Sequence, residues 1–215
     1  APAVTMAVTL WVVVWWIFEP IPIPATSLLP MALLPLFGVL SPKELGAAYG
    51  NPLVLLMLGG FILATALERS GAHRRIALYM VRAFGGTSSR RLVFGFMCAS
   101  AFLSMWISNT STTLMLLPVA LAALEKSDDP SLASPLLLGI AYAASIGGIG
   151  TPIGTPPNMV FMGVYSEVTG GTISFGQWML WAIPVVLLLL PIAGLWITRG
   201  VSKSGGVALP ASEAW

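Results

Sequence analysis

The sequence predicts an all-α integral membrane protein, and three observations carry that prediction. Of its 215 residues 57% are hydrophobic and only 8% charged, with mean hydropathy +0.90, whereas soluble domains carry roughly 25% charged residues. Several apolar segments approach the roughly 20 residues a spanning helix needs. Two polar or glycine- and proline-rich interruptions then break the apolar pattern in mid-segment. Ser108, Asn109, Thr110, Ser111, Thr112 and Thr113 stand in a row between apolar runs, and a second break covers residues 147–158. Such rows are costly in hydrocarbon, because no water meets their polar groups, and they are tolerated where the chain turns back inside protein or lines a polar cavity.

Segment one covers residues 4–18, and its Trp11, Trp15 and Trp16 suit an interfacial belt. Alternating prolines at 20, 22 and 24 break it, since each removes a donor and stiffens the backbone. Segment two covers 25–40 and ends at Ser41, Pro42, Lys43 and Glu44; segment three covers 52–67, with Gly59 and Gly60 in its middle expected to permit close helix packing. No cleavable signal is expected, because the first apolar stretch lacks a basic leader.

Residues 68–91 hold six of the ten Lys and Arg residues: Arg69, Arg74, Arg75, Arg82, Arg90 and Arg91. Between them, residues 72–84 have a helical apolar face and predict an amphipathic helix lying at the membrane surface. Its His73 reads as a solvated interfacial residue, since no second metal ligand lies nearby. The excess of positive charge places the arm at 69–91 in the cytoplasm.

Residues 92–107 and 114–124 read as limbs of a re-entrant hairpin whose tip is the polar row. The second limb is too short to span comfortably, and the two together are too long for one helix. Entering and leaving on the cytoplasmic side resolves both problems. From about residue 134 the chain crosses outward to 168, and 175–199 returns it inward, so that Arg199 and Lys203 reach the cytoplasm; tracing backward puts Lys43, Glu44 and the N-terminus outside. The tail from 200 to 215 is rich in Gly, Ser, Ala and Pro and reads as a linker or disordered end.

The second break holds four glycines and three prolines in twelve residues, which cannot continue a helix, yet apolar helix-compatible sequence flanks it. This predicts a discontinuous transmembrane helix. Freed carbonyls there can coordinate a cation, and a half-helix N-terminus can face an anion. The polar tip offers the same equipment: Asn109 has a carbonyl oxygen and an amide, and Ser108 and Thr110 have hydroxyls. Ser104 precedes Ser108 by four residues, a spacing that stacks them on one helical face. Oxygens of this kind suit a small hard cation such as Na⁺. The expected membrane interior holds no Asp, Glu, Lys or Arg, so a proton relay is hard to build. For an isolated Ser or Gly, interhelical packing is the ordinary explanation; two such breaks together favour a ligand site.

Other chemistries find no foothold. Net charge +2 gives no nucleic-acid signal, and the single Cys98 forms no intrachain disulfide. Neither glycine-rich run has a P-loop lysine, and no His, Cys or acidic cluster offers a metal site or nucleophile, so no enzyme is expected. Asn109, Thr110 and Ser111 match a glycosylation sequon, but a tip approached from the cytoplasm would not meet that machinery.

Two motifs carry a family resemblance. Ser104-Met105-Trp106-Ile107-Ser108-Asn109-Thr110 with Leu116-Leu117-Pro118 resembles the hairpin of the divalent anion/sodium symporter family. Ala144-Ser145-Ile146-Gly147-Gly148-Ile149-Gly150-Thr151, continued by Gly154-Thr155-Pro156-Pro157-Asn158, resembles the break in that family's next helix. The resemblance runs through essentially the whole chain. It implies sodium-coupled carriage of C4-dicarboxylates, citrate or sulfate by homodimers whose transport domain moves like an elevator against a scaffold. Ser104, Ser108, Asn109 and Gly154 resemble sodium ligands; Ser108, Asn109 and Thr110, with Thr155 and Pro156, resemble contacts to the anionic substrate. The family has two inverted repeats and this chain resembles the first, so half of an inverted-repeat transporter is expected. Either it is a fragment, or a second, C-terminal repeat comes from the same or another chain; pairing of two copies in opposite orientation conflicts with the charge bias. Residues 1–69 would then be mostly scaffold and 92–168 transport domain, in a plasma or inner membrane. The competing readings are another permease of the wider ion-transporter group and a non-transporting subunit whose polar tip serves packing.

Overall fold

A computed structural model describes residues 2–85, 88–125, 127 and 129–201, with the side chains of His73, Arg74, Arg82 and Phe84 outside that description. The expected linker beyond residue 201, with Lys203, and the reading of His73 lie outside the described residues. All regular structure among the described residues is helical. The chain forms two compact units, residues 1–55 and 56–215.

In the first unit α1 (Pro2–Phe18) forms as expected. It ends at Glu19, whose left-handed φ of 46° stops the helix before Pro20. Trp11 and Trp15 meet edge to face, 5.3 Å apart. Segment two, expected as one span over 25–40, is instead two short helices, α2 (Ile23–Ser27) and α3 (Leu29–Leu36). The proline at the start of each can begin a helix but cannot donate into a preceding turn, which favours restarting over continuing. Both pack on α1. Helix α4 (Pro42–Tyr49) was not expected. Its start is a capping box: Ser41 Oγ accepts from the Glu44 N–H at 3.2 Å, while the Glu44 carboxylate accepts from the Ser41 N–H at 2.8 Å.

Helix α5 (Pro52–Arg69) crosses the division between the units and, with residues 175–200, is long and apolar enough to span a membrane. A side chain at Gly60 would lie 3.0 Å from Ile153, so this glycine does permit a close approach, whereas nothing described lies near Gly59. Helix α6 (Ala72–Gly85) forms where the amphipathic arm was expected. Its Ala77 and Val81 are buried in one cluster with Leu92, Val93 and Phe96, so that face packs on α7 (Ser89–Ser104) rather than remaining open to lipid. Tyr79 is exposed.

Helix α7 is the centre of the second unit, packed on α6, on α8 (Asn109–Glu125) and on α9 (Ala133–Gly148). Gly139 sits against Val93 and Met97, Ser100 Oγ donates to the Ile140 carbonyl at 2.8 Å, and Gly147 abuts the Ala101 backbone. Numbers rise together along this contact, so α7 and α9 run parallel and end at the same level. After α10 (Pro156–Thr169), α11 (Phe175–Ile197) and a 3₁₀ turn (Thr198–Gly200) run antiparallel to them. Trp178 Nε1 donates to the Ile149 carbonyl at 2.9 Å, Gly194 abuts the Phe94 ring, and Arg90 donates to the Arg199 and Val201 carbonyls at 3.3 Å.

Candidate functional site

Both interruptions are narrower than the sequence suggested. The turn between α7 and α8 is residues 105–108, and Asn109 to Thr113 form the first turns of α8. The reason is local: Ser108 caps this helix, its Oγ accepting from the Ser111 N–H at 3.1 Å and its carbonyl from the Thr112 N–H at 2.9 Å. The second limb is therefore 17 residues long, not the short segment expected, and a connection of four residues turns it back against α7. The break after α9 is residues 149–155. Gly147 and Gly148 complete α9, and Pro156 and Pro157 occupy the first turn of α10, where a missing N–H is harmless.

The four helix ends so produced meet at one place. Ser104 Oγ, fully buried at the end of α7, donates to Asn109 Oδ1 at the start of α8. A side chain on Gly148, the last residue of α9, would lie 2.7 Å from that same Oδ1. One on Gly154 would lie 3.0 Å from the Ser104 carbonyl oxygen and 2.5 Å from that of Gly148. Only glycine lets these strands of backbone approach so closely. The Ser104 and Gly154 carbonyls accept no hydrogen bond among the described residues. Oxygens from the ends of α7 and α9 and the start of α8 thus crowd around the Gly154 backbone, with no carboxylate among them.

Of the expected sodium residues, then, Ser104, Asn109 and Gly154 are brought together. Ser108 is not with them: α7 ends at Ser104, so the expected one-face stacking is lost, and both Ser108 oxygens serve α8. Of the expected substrate residues, Ser108, Thr110 and Pro156 are exposed and Asn109 and Thr155 half-buried. No hydrogen bond among the described residues links Ser108 or Thr110 to Thr155.

Helix polarity sorts the charges this spot can hold. The C-termini of α7 and α9 carry partial negative charge and favour a cation; the N-termini of α8 and α10 favour an anion. Pro156 and Pro157 leave α10 without donors in its first two positions, and the Asn158 N–H is spent on the Thr155 carbonyl at 3.1 Å. Any backbone donors to an anion would then be the Asn109 and Thr110 N–H groups of α8, since those of Ser111 and Thr112 are spent on Ser108.

Three residues given no role from sequence hold the break in shape. Asn158, buried, donates from Nδ2 to the Gly148 and Thr151 carbonyls, both at 2.8 Å, and so staples the two sides of the break. Thr151 Oγ1 donates to the Met105 carbonyl at 2.5 Å, joining the break to the α7–α8 turn. Trp178 closes it from α11. A polar residue directly after paired prolines was the available signal for Asn158.

Residues 13–208 match the family described as citrate transporter (CitMHS). The chain belongs to the citrate transporter family. It is 42% identical over 219 aligned residues, 97% of its length, to the sodium-dependent dicarboxylate transporter SdcS of Staphylococcus saprophyticus. It is 44% identical over 203 residues, 89% of its length, to the protein of that name in Staphylococcus aureus. These alignments cover 42% and 39% of the relatives, so the chain spans about two-fifths of their length. Citrate transporter family members are transporters rather than enzymes, and membership makes this an integral, multi-pass membrane protein.

Proposed function

We propose that this chain supplies one sodium site and half of the substrate site of a sodium-coupled carrier for a small divalent anion. The carrying observation is the convergence of Ser104 Oγ, Asn109 Oδ1 and the unpaired Ser104 carbonyl, with the Gly154 backbone close against them, where two helices end. A hard cation takes oxygen ligands, and unwound carbonyls with half-helix C-termini are how transporters hold Na⁺. With no Arg or Lys at hand, a dicarboxylate at Ser108, Asn109, Thr110, Thr155 and Pro156 needs bound Na⁺ and the α8 N-terminus to offset its charge. Sodium should accordingly bind before, and strengthen, the anion.

The relatives' description as sodium-dependent dicarboxylate transporters favours a C4-dicarboxylate over citrate or sulfate. In this reading α7 and α8 form a re-entrant hairpin entering from the cytoplasm, and α9 and α10 form a discontinuous membrane helix. At about 1.5 Å per residue, the 16 residues of α7 reach about 24 Å, short of a roughly 30 Å hydrocarbon core. The bond of Arg90 to the backbone at Arg199 keeps two basic sites at one end, which supports a cytoplasmic arm and a plasma or inner membrane location. Residues 1–69 would serve mainly as scaffold and 92–168 as the moving element of an elevator. A second repeat and a homodimeric partner would complete the site and the scaffold.

The experiment is thermal unfolding of the purified chain in detergent, with NaCl against choline chloride, with and without succinate, citrate or sulfate. A sodium-specific rise in Tm, enlarged by one of these anions and lost in Asn109→Ala, is expected. Equal Tm in both salts would favour the packing role, which Ser100, Thr151 and Asn158 already illustrate.

A further inference from the structure

Helices α9 and α11, which pack on each other, leave an open groove of about 680 Å³ between them. From α9 it is lined by Ser134, Leu138 and Ile146, and from α11 by Leu189, Ala193 and Trp196. Between Ser134 and Ile146 it runs about 18 Å at 1.5 Å per residue, close to one leaflet of a roughly 30 Å hydrocarbon core. The two ends differ. Ile146 and Leu189 close one end with aliphatic side chains. The other opens beside the Ser134 hydroxyl and Arg199, whose guanidinium lies 4.0 Å over the Trp196 ring. Trp196 exposes 66% of its surface there.

We propose that this groove binds one acyl chain of an anionic phospholipid whose phosphate pairs with Arg199. Three features select this occupant. The groove is apolar for a leaflet's depth and cationic only at its mouth, which matches a lipid in both length and charge order. Arg199 makes no ion pair among the described residues, so its charge is available. Its position is fixed, because Trp196 holds the guanidinium and Arg90 binds its carbonyl at 3.3 Å. A planar guanidinium binds phosphate oxygens two at a time, and basic pockets between membrane helices hold anionic head groups. A zwitterionic lipid brings its own cation to the same place and gains less. The site is independent of the sodium reading and survives its failure.

The test is reconstitution of the chain in nanodiscs of phosphatidylcholine with a minor fraction of phosphatidylglycerol of identical acyl chains. The protein is then released in mild detergent and the retained lipid analysed by mass spectrometry. Phosphatidylglycerol should be enriched about fivefold over its bulk fraction, the factor equivalent to the about 1 kcal/mol that one basic residue gains near anionic lipid. Arg199→Gln should bring the enrichment to near unity. Leu138→Trp, which fills the groove and leaves the cation, should lower total retained lipid. No enrichment in the parent chain overturns the proposal, as does enrichment that persists in Arg199→Gln. Unchanged retention in Leu138→Trp also overturns it, and is the result expected if protein covers the groove. Arg199 is exposed, so loss of folding does not confound that variant; matched Tm values for all three proteins verify this.

Discussion

Gly148→Ala is the sharpest probe of the proposed ion site. The added methyl would lie 2.7 Å from Asn109 Oδ1 and 3.3 Å from its Nδ2, where ordinary contact begins at 3.4 Å. The carboxamide must therefore withdraw by 3.4 − 2.7 = 0.7 Å. That exceeds the roughly 0.5 Å within which a binding constellation has to be held. The fold itself should tolerate the change, because alanine is favoured over glycine in a helix by up to about 1 kcal/mol and the obstacle is a side chain that can turn outward. In the parent chain, sodium at a hundredfold excess over its Kd would add about 2.7 kcal/mol. At about 2–4 °C per kcal/mol for a chain of this size, the Tm in NaCl should exceed that in choline chloride by about 5–11 °C. In Gly148→Ala the two Tm values should coincide while the choline value stays within about 1 kcal/mol of the parent. A full sodium shift in this variant would refute the assignment of Asn109 Oδ1 to the cation.

Gly147→Ala, one residue earlier, should behave in the opposite way. Its methyl would overlap the Ala101 backbone, which cannot turn aside. Parting α7 from α9 should cost about 1–3 kcal/mol or more, read as equal falls in Tm in both salts. Asn158→Ala would remove the donor to the Gly148 carbonyl at the end of α9 and leave the Thr151 carbonyl only the Gly154 N–H at 3.3 Å; at about 1–3 kcal/mol for such a loss, a lower Tm in either salt is expected, with weaker sodium affinity following from a looser Gly154. Hydrogen bonds from the Ser41 backbone and then its hydroxyl hold the Glu44 carboxyl below its ordinary pKa. A depressed carboxyl stabilises the fold above its unfolded pKa and ceases to do so as pH falls through the folded one. The Glu44 signal in an NMR titration should shift at lower pH than that of an unpaired glutamate, and Ser41→Ala should restore the ordinary midpoint.

The sequence made the chemistry of the site more legible than its geometry. Helices α1, α5, α7 and α11 follow from apolar length and lie within a few residues of expectation. Ser104 and Asn109 stood out because small polar groups are expensive in hydrocarbon unless used, whereas Gly154 was singled out by the family resemblance alone. Helix ends were misjudged because capping acts against composition. Ser108 recruits the polar row into α8, and Pro156 and Pro157 begin a helix rather than prolonging a break. The Ser41–Glu44 capping box was readable as a motif, yet the short polar helix it starts is invisible to hydropathy. The packing of Ala77 and Val81 on α7 could not be read from periodicity, which marks an apolar face and not what covers it. Asn158 escaped because its role depends on two carbonyls, ten and seven residues away, that meet only in the fold.

Equilibrium binding of radiolabelled sodium to the purified chain tests the central claim most directly. The account predicts saturable binding of one ion per chain, strengthened by succinate and abolished in Asn109→Ala. Absence of saturable binding in the parent, or equal binding in both proteins, would contradict it.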